Sequence, residues 1–106
     1  MSPNENAIRL AISKKQPIET IYNDKPRILC PHVIGEKGNS INILSYQIGG
    51  DSSREIEPAG SPNNWRCMHL DELGFIKFRT DLAWQTADNH TQPQTCVDLI
   101  YAEVSY

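Results

Sequence analysis

The stretch RILCPHVIGEKGNSINILSYQI, residues 27–48, decides the fold of this chain. Its two ends are rich in β-branched, aromatic and other apolar residues, a composition that favours strands. Between them, residues 35–39 carry the two glycines expected of a hairpin loop. We therefore predict strands at residues 27–34 and 41–48, joined as a hairpin.

Similar short runs lie on both sides of this hairpin. Residues 18–22 predict a strand, and a turn at residues 23–26 leads from it into the central hairpin. Residues 65–70 and 75–83 predict a fourth and a fifth strand, separated by a turn. The intervening residues 49–64 are rich in Gly, Pro, Ser and Asn, and we interpret them as a long polar loop.

The N-terminus predicts one helix, over about residues 3–15. Ser2 suits the capping position, and Pro3 suits the first helical position. Ala7, Ile8, Ala11 and Ile12 then recur at helical spacing. We expect this apolar face to pack on the sheet.

The tail, residues 95–106, fits two structures. Val97, Ile100, Tyr101 and Val104 follow helical spacing, whereas Val97, Leu99 and Tyr101 alternate as in a strand. We favour a helix that docks on the rest of the domain or on a second subunit.

These elements predict a mainly β fold. We expect an N-terminal helix followed by a five-stranded SH3-like or Sm-like barrel, since closure protects strand edges. The 106 residues suit one domain, with a core at 8–83, a polar linker at 84–94 and the C-terminal segment at 95–106.

Composition narrows the classes of function. The net charge of −3 argues against a protein that coats DNA non-specifically. No apolar run is long enough to span a membrane, and the N-terminus lacks the pattern of a secretory signal. The cysteine count is odd, at three, and there is no CxxC pair, which favours reduced thiols and a cytoplasmic protein.

The elements and residues of about positions 8–77 follow a distinctive order: a helix, a strand ending in Tyr22, and a strand with Arg27 and Pro31. The order continues in the Asn-Ile-Leu-Ser-Tyr run at 42–46 and in Arg66 followed by residues 68–73. In this order the chain resembles a divergent, stand-alone WYL domain. Asn and Ile stand at 42 and 43 where the family has its eponymous Trp and Tyr.

The resemblance implies a ligand-sensing barrel that regulates transcription or phage defence. Its ligand would be anionic, a nucleotide or a short single-stranded nucleic acid. Carried over by position, the ligand-binding residues are Arg27, His32, Tyr46, Arg66 and His69.

The residue types suit that role. Each arginine can donate two hydrogen bonds to a phosphate, and His32 and His69 can donate to an anion. Tyr46 and Trp65 offer faces on which a base can stack. The alternative is that Tyr46 and Trp65 belong to the core and that the arginines are solvated surface charges.

Two other kinds of site are open from the residues alone. Cys30 with His32, and Cys67 with His69, each share a strand face and together offer four zinc ligands. Cys67 and His69 also suit a nucleophile and its base. We do not predict a zinc site, because the two strands should not be adjacent. We do not predict a nucleophile either, because nothing in the sequence orients Cys67 and His69.

We expect no enzyme activity, metal or cofactor, since no catalytic or phosphate-cradling motif is present. The alternative function is a structural or protein-interaction domain, a homodimer formed through a strand edge or the tail at 95–104.

Overall fold

The computed structural model describes residues 2–51, 56, 58, 61, 64–87 and 96–104. In these residues one α-helix precedes six strands that form a single antiparallel sheet. The elements are α1 (Pro3–Lys14), β1 (Ile18–Tyr22), β2 (Lys25–Lys37), β3 (Ser40–Gly50), β4 (Trp65–His69), β5 (Lys77–Phe78) and β6 (Leu99–Glu103). The prediction of a mainly β fold with an N-terminal helix is confirmed.

The long strand β2 organises the sheet. One of its edges pairs with β3 along nearly its whole length. Its other edge is shared, because β1 pairs with residues 25–29 and β6 pairs with residues 33–36. The strand order is β4-β3-β2-β1-β5, and β6 lies beside β2. The sheet is therefore open.

The tail forms a strand, so our preference for a helix is wrong. β6 pairs antiparallel with β2, and Val33 lies opposite Glu103. Without β6, the backbone groups of this half of β2 would lack sheet partners on one edge. The tail thus supplies a sixth strand where we expected five.

The helix is close to the prediction. The Ser2 hydroxyl accepts a hydrogen bond from the backbone N–H of Glu5 at 3.1 Å, which caps the first turn. Ile8, Ala11 and Ile12 are buried against the sheet. The helix ends at Lys15, which adopts a left-handed conformation with φ of 51°.

Both hairpins have short turns. Asn23 and Asp24 join β1 to β2 with φ of 53° and 61°, as a type I′ turn requires. The loop predicted at residues 35–39 is too long, because pairing of β2 with β3 continues as far as Lys37 and Ser40. Gly38 in the remaining turn has φ of 60°.

The later strands agree only in part with the sequence. β4 ends at His69, and a 3-10 helix, Leu70–Glu72, follows it. The strand predicted at residues 75–83 is much shorter, because only Lys77 and Phe78 of this stretch form a strand, β5, which pairs with β1. Beyond β5, Arg79 turns to form an ion pair with Asp81 at 2.8 Å.

Two predicted polar segments fall largely outside the described residues. Gly49 and Gly50, assigned to the polar loop at 49–64, belong to β3. Of the predicted linker at 84–94, the structure describes residues 84–87. In that part, Trp84 and Ala87 pack against the sheet.

The sheet has two covered faces. We call the first the helix face, because Leu29, Ile43 and Met68 on it share one buried apolar cluster with α1. We call the second the disulfide face, on which Leu44 packs with Cys96. α1 is the only α-helix in the described part of the chain, and it is too short and too polar to cross a membrane.

Cys67 and Cys96 form a disulfide, so the expectation of three reduced thiols is wrong for these two. Cys67 lies in β4 and Cys96 lies shortly before β6, and their Cα atoms are 5.5 Å apart. The fold brings them together although 29 positions separate them in the chain. Cys30 is a free, buried thiol.

Candidate functional site

Two of the five predicted ligand-binding residues share the helix face. Arg27 is two positions from Leu29 on β2, and Arg66 is two positions from Met68 on β4. Leu29 and Met68 belong to the same buried apolar cluster as Ile8, Ala11 and Ile12 of α1. Since alternate residues of a strand share a face, Arg27 and Arg66 lie on the helix face too.

Arg27 is buried, with 3% of its surface exposed. Its Nη2 donates to the Tyr22 carbonyl at 3.4 Å, and its Cζ lies 5.5 Å from the centre of the Tyr22 ring. Burial lowers the pKa of Arg27 from its ordinary value, while Tyr22 and Asp51 oppose the change. The fold therefore holds a guanidinium where water stabilises it little.

The neighbours of Arg27 leave one of its buried hydrogen-bond donors unused. Among the described residues Arg27 forms no ion pair, and its buried Nε has no hydrogen-bond partner. A buried charge is normally paired, and a guanidinium left unpaired costs free energy. This arrangement suits a site that an anion occupies.

Arg66 lies beside two buried polar residues of β3. Its Nε donates to Gln47 Oε1 at 3.2 Å, and Gln47 Nε2 donates to the carbonyls of Gly49 and Asp51. Ser45 lies directly opposite Arg66 in the sheet, and its buried hydroxyl has no partner among the described residues. Gln47 therefore orients Arg66, and Ser45 adds a hydroxyl that can donate.

These side chains form what we call the buried polar cluster, Arg27, Ser45, Gln47 and Arg66. Each is at most 5% exposed. Gln47 lies opposite Leu29, which is two positions from Arg27 on β2, and the pairing with β3 shifts register between Ile28 and Leu29. The cluster thus places two guanidinium groups and a hydroxyl on one face of the sheet, and each guanidinium can bind a phosphate or a carboxylate.

His32 and Tyr46 lie on the disulfide face, away from the two arginines. Tyr46 is fully buried, its hydroxyl donates to the Ser61 carbonyl at 2.8 Å, and its ring meets Trp65 edge to face. His32 is also fully buried, and its ring lies 4.6 Å from that of Trp84. Both side chains are part of the core, as the alternative interpretation of Tyr46 expected.

His69 is on the disulfide face as well. It lies opposite Asn42, and its Nδ1 is 2.7 Å from Asn42 Oδ1. It is exposed, but it is three positions from Arg66 on β4, so the two residues lie on opposite faces of the sheet. The structure therefore brings Arg27 and Arg66 to one face and places His32, Tyr46 and His69 on the other.

The zinc arrangement is not present in the described structure. Cys67 is bonded to Cys96 and so cannot act as a thiolate ligand. In the described ranges no group of three or more His, Cys, Asp or Glu side chains could hold a metal ion.

Ser45 and Gln47 were not predicted from the sequence as site residues. Their spacing could have identified them, because they are two and four positions after Ile43 and therefore lie on the same strand face, which must be buried. A polar residue at such a position needs a partner, and this requirement marks it as a member of a network.

Comparison with models of known protein families, with curated sequences and with solved structures found no match for this chain.

Proposed function

We propose that the protein is a WYL-like ligand-binding module that recognises a nucleotide or a short single-stranded nucleic acid through Arg27 and Arg66. The observation that carries the proposal is the burial of Arg27 without an ion pair among the described residues, on the same face as Arg66. A phosphate bound by Arg27, with Arg66 on the same face, would supply the negative charge that Arg27 lacks among the described residues. Ligand control of transcription is the regulatory role that fits such a module.

Closure of the sheet into a small barrel belongs to the same proposal. β2 is 13 residues long and has different partners on the two halves of one edge. It also has register shifts near Leu29 and Val33 in its pairing with β3. Such irregularities bend a strand, as small barrels require.

A thermal-shift and calorimetry panel tests ligand binding. The panel holds inorganic phosphate, nucleoside mono-, di- and triphosphates, and short single-stranded oligonucleotides. We expect at least one phosphate-bearing compound to raise the unfolding temperature, with an affinity that falls as salt rises. An unchanged unfolding temperature across the whole panel contradicts the proposal.

Matched variants test the site. Arg27→Gln or Arg66→Gln should weaken binding roughly ten- to hundredfold, since each removes a charged hydrogen-bond donor. Arg79→Gln is the control, because Arg79 pairs with Glu19 and Asp81 away from the cluster. Circular dichroism establishes that each variant is folded. Equal weakening by Arg79→Gln would place the ligand elsewhere.

The second candidate function is protein interaction through β6. Leu99 and Ile100 are 58% and 45% exposed on this strand. Because β6 pairs with β2 inside the chain, removing the tail would damage the sheet, so a point substitution is the cleaner test. A homodimer seen by light scattering that becomes a monomer in Leu99→Lys supports this candidate, and a wild-type monomer rejects it.

A further inference from the structure

The two sulfur atoms of the disulfide lie in different environments. Cys67 belongs to β4, which ends the strand order, and it is exposed. Cys96 is only 5% exposed and packs with Val33, Leu44 and Val97. An external thiol therefore reaches Cys67 more readily than Cys96.

Asn42 connects both cysteine-bearing segments. Its Nδ2 donates to the Cys96 carbonyl at 2.9 Å and lies 4.0 Å from Cys67 Sγ. Because that nitrogen faces a carbonyl, the orientation of the amide is fixed, and Oδ1 must face His69 Nδ1. Asn42 is 4% exposed, so this arrangement is held inside the fold.

The hydrogen bond fixes the tautomer of His69. Asn42 Oδ1 can only accept, so Nδ1 of the neutral ring carries the hydrogen and Nε2 carries the lone pair. His69 and Cys67 are two positions apart on one strand face, a spacing of roughly 6.6 Å that an imidazole side chain can span. The orienting group that the sequence did not reveal for this pair is Asn42.

We propose that the Cys67–Cys96 disulfide undergoes thiol–disulfide exchange with small external thiols. Cys67 is the sulfur attacked, Cys96 is the leaving group, and His69 is the base oriented by Asn42. This activity goes beyond ligand binding by the buried polar cluster, which lies on the other face of the sheet.

The reaction balances with two equivalents of a small thiol, RSH. His69 Nε2 takes the proton of the first, and the resulting RS⁻ attacks Cys67 Sγ; the bond between the two cysteines breaks, and Cys96 leaves with its electron pair and takes up the proton. A second RSH gives its proton to His69 Nε2, and the resulting RS⁻ attacks the R sulfur of the mixed disulfide. The bond between that sulfur and Cys67 Sγ breaks, RSSR is released, and Cys67 leaves with the electron pair and takes up the second proton. The protein disulfide gains two electrons and two protons, and the external thiols are oxidised to RSSR.

Peptide mapping of the native chain gives the first test. The protein is incubated with reduced glutathione, quenched with acid at short times, digested and analysed by mass spectrometry. We expect glutathione on Cys67 and none on Cys96 before the dithiol appears. Glutathione on Cys96, or reduction only at the rate of global unfolding in urea, would overturn the proposal.

Alkylation tests the role of His69. In Cys96→Ser, iodoacetamide should label Cys67 in the folded protein, whereas in Cys67→Ser it should label Cys96 at least about tenfold more slowly. Adding His69→Gln to Cys96→Ser should move the pH midpoint of Cys67 labelling upward and slow labelling at pH 7 roughly tenfold. Asn42→Ala should shift the midpoint in the same direction.

Lys14→Gln in the Cys96→Ser background is the control, because it removes a positive charge from the exposed end of α1. An unchanged profile in His69→Gln, or an equal shift in Lys14→Gln, rejects the role of His69. If a single-cysteine variant fails to fold, the glutathione map of the native chain decides the proposal.

Discussion

Cys30 and Cys67 look alike in the sequence, since each precedes a histidine by two positions, yet the fold gives them opposite environments. Cys67 is exposed and bonded to Cys96. Cys30 is fully buried beside Tyr46 and Ala87 and keeps its thiol. Cys67 lies on the strand that ends the strand order, whereas residues 84–87 pack against Cys30, so a reagent in solution reaches only Cys67 of the two.

Burial raises the pKa of Cys30 from 9.0 to about 11. Between these values the unfolded chain loses the thiol proton while the folded chain keeps it, so folding stability falls as pH rises from 9.0 to about 11. The two-unit difference corresponds to about 3 kcal/mol of unfolding free energy.

Cys30→Ala removes this contribution. We expect the stability difference between wild type and Cys30→Ala to move in favour of the variant across that pH range. Urea unfolding at a series of pH values measures it. A constant difference would mean that the Cys30 thiol ionises equally well in both states.

At the residue scale, the sequence predicted the candidate site only in part. Arg27 and Arg66 share one face of the sheet, and ligand binding by them stays a prediction. His69 is three positions from Arg66, so the alternation of side chains along β4 already placed the two on opposite faces. The burial of His32 depends on Trp65 and Trp84, whose rings lie 4.7 and 4.6 Å away. Trp84 contacts it through tertiary structure that no local pattern encodes.

At the scale of elements, the close approach of the tail to β2 depends on Gly35. A Cβ atom at this position would collide with the Leu99 carbonyl oxygen and with Val97 Cγ1. The absence of a side chain therefore lets β6 pair with β2 beside the disulfide.

Gly35→Ala should consequently lower the unfolding free energy by about 1–3 kcal/mol or more, because the added Cβ would meet the backbone carbonyl of Leu99, which cannot move aside as the end of a side chain can. Gly49→Ala is the matched control in the same sheet. Its added Cβ would meet Ile28 Cδ1 at 3.2 Å, the flexible end of a side chain, so we expect a much smaller change. Equal losses in urea unfolding would contradict this account.

The elements that the sequence predicted well are those with a strong local signal. Ser2 and Pro3 mark the start of α1, and β-branched residues mark the central hairpin. The tail was misassigned because its apolar residues fit both periodicities. Pairing with β2 makes the tail a strand, and the paired residues of β2 lie more than sixty positions earlier in the chain.

The short β5 has a similar explanation. Residues 75–83 have strand composition, but Phe78 lies opposite Ile18, the first residue of β1, so residues 79–83 lie beyond the end of that strand. The length of a strand is set by the partner that is present as well as by its own residues.

At the scale of the whole molecule, the disulfide links β4 to the segment that precedes β6. Its two cysteines are 29 positions apart. Closing a loop of this length in the unfolded chain should stabilise the fold by about 3–4 kcal/mol.

The Cys67→Ser, Cys96→Ser double variant should therefore unfold at lower urea concentration than the oxidised wild type. A reducing agent should lower the wild-type midpoint and leave that of the double variant unchanged. A wild-type midpoint that does not move once mass spectrometry shows full reduction would contradict the expected stabilisation.

The shared edge of β2 has a consequence for synthesis in the cell. Residues 25–29 find their partner β1 as soon as they leave the ribosome, because β1 precedes them, whereas residues 33–36 wait until residue 103 has emerged. During that interval the nascent chain presents half of a buried strand as an open edge, the kind of surface on which chaperones act and neighbouring chains aggregate. The speed of translation between residues 36 and 103 thus sets how long each new molecule is exposed to misassembly.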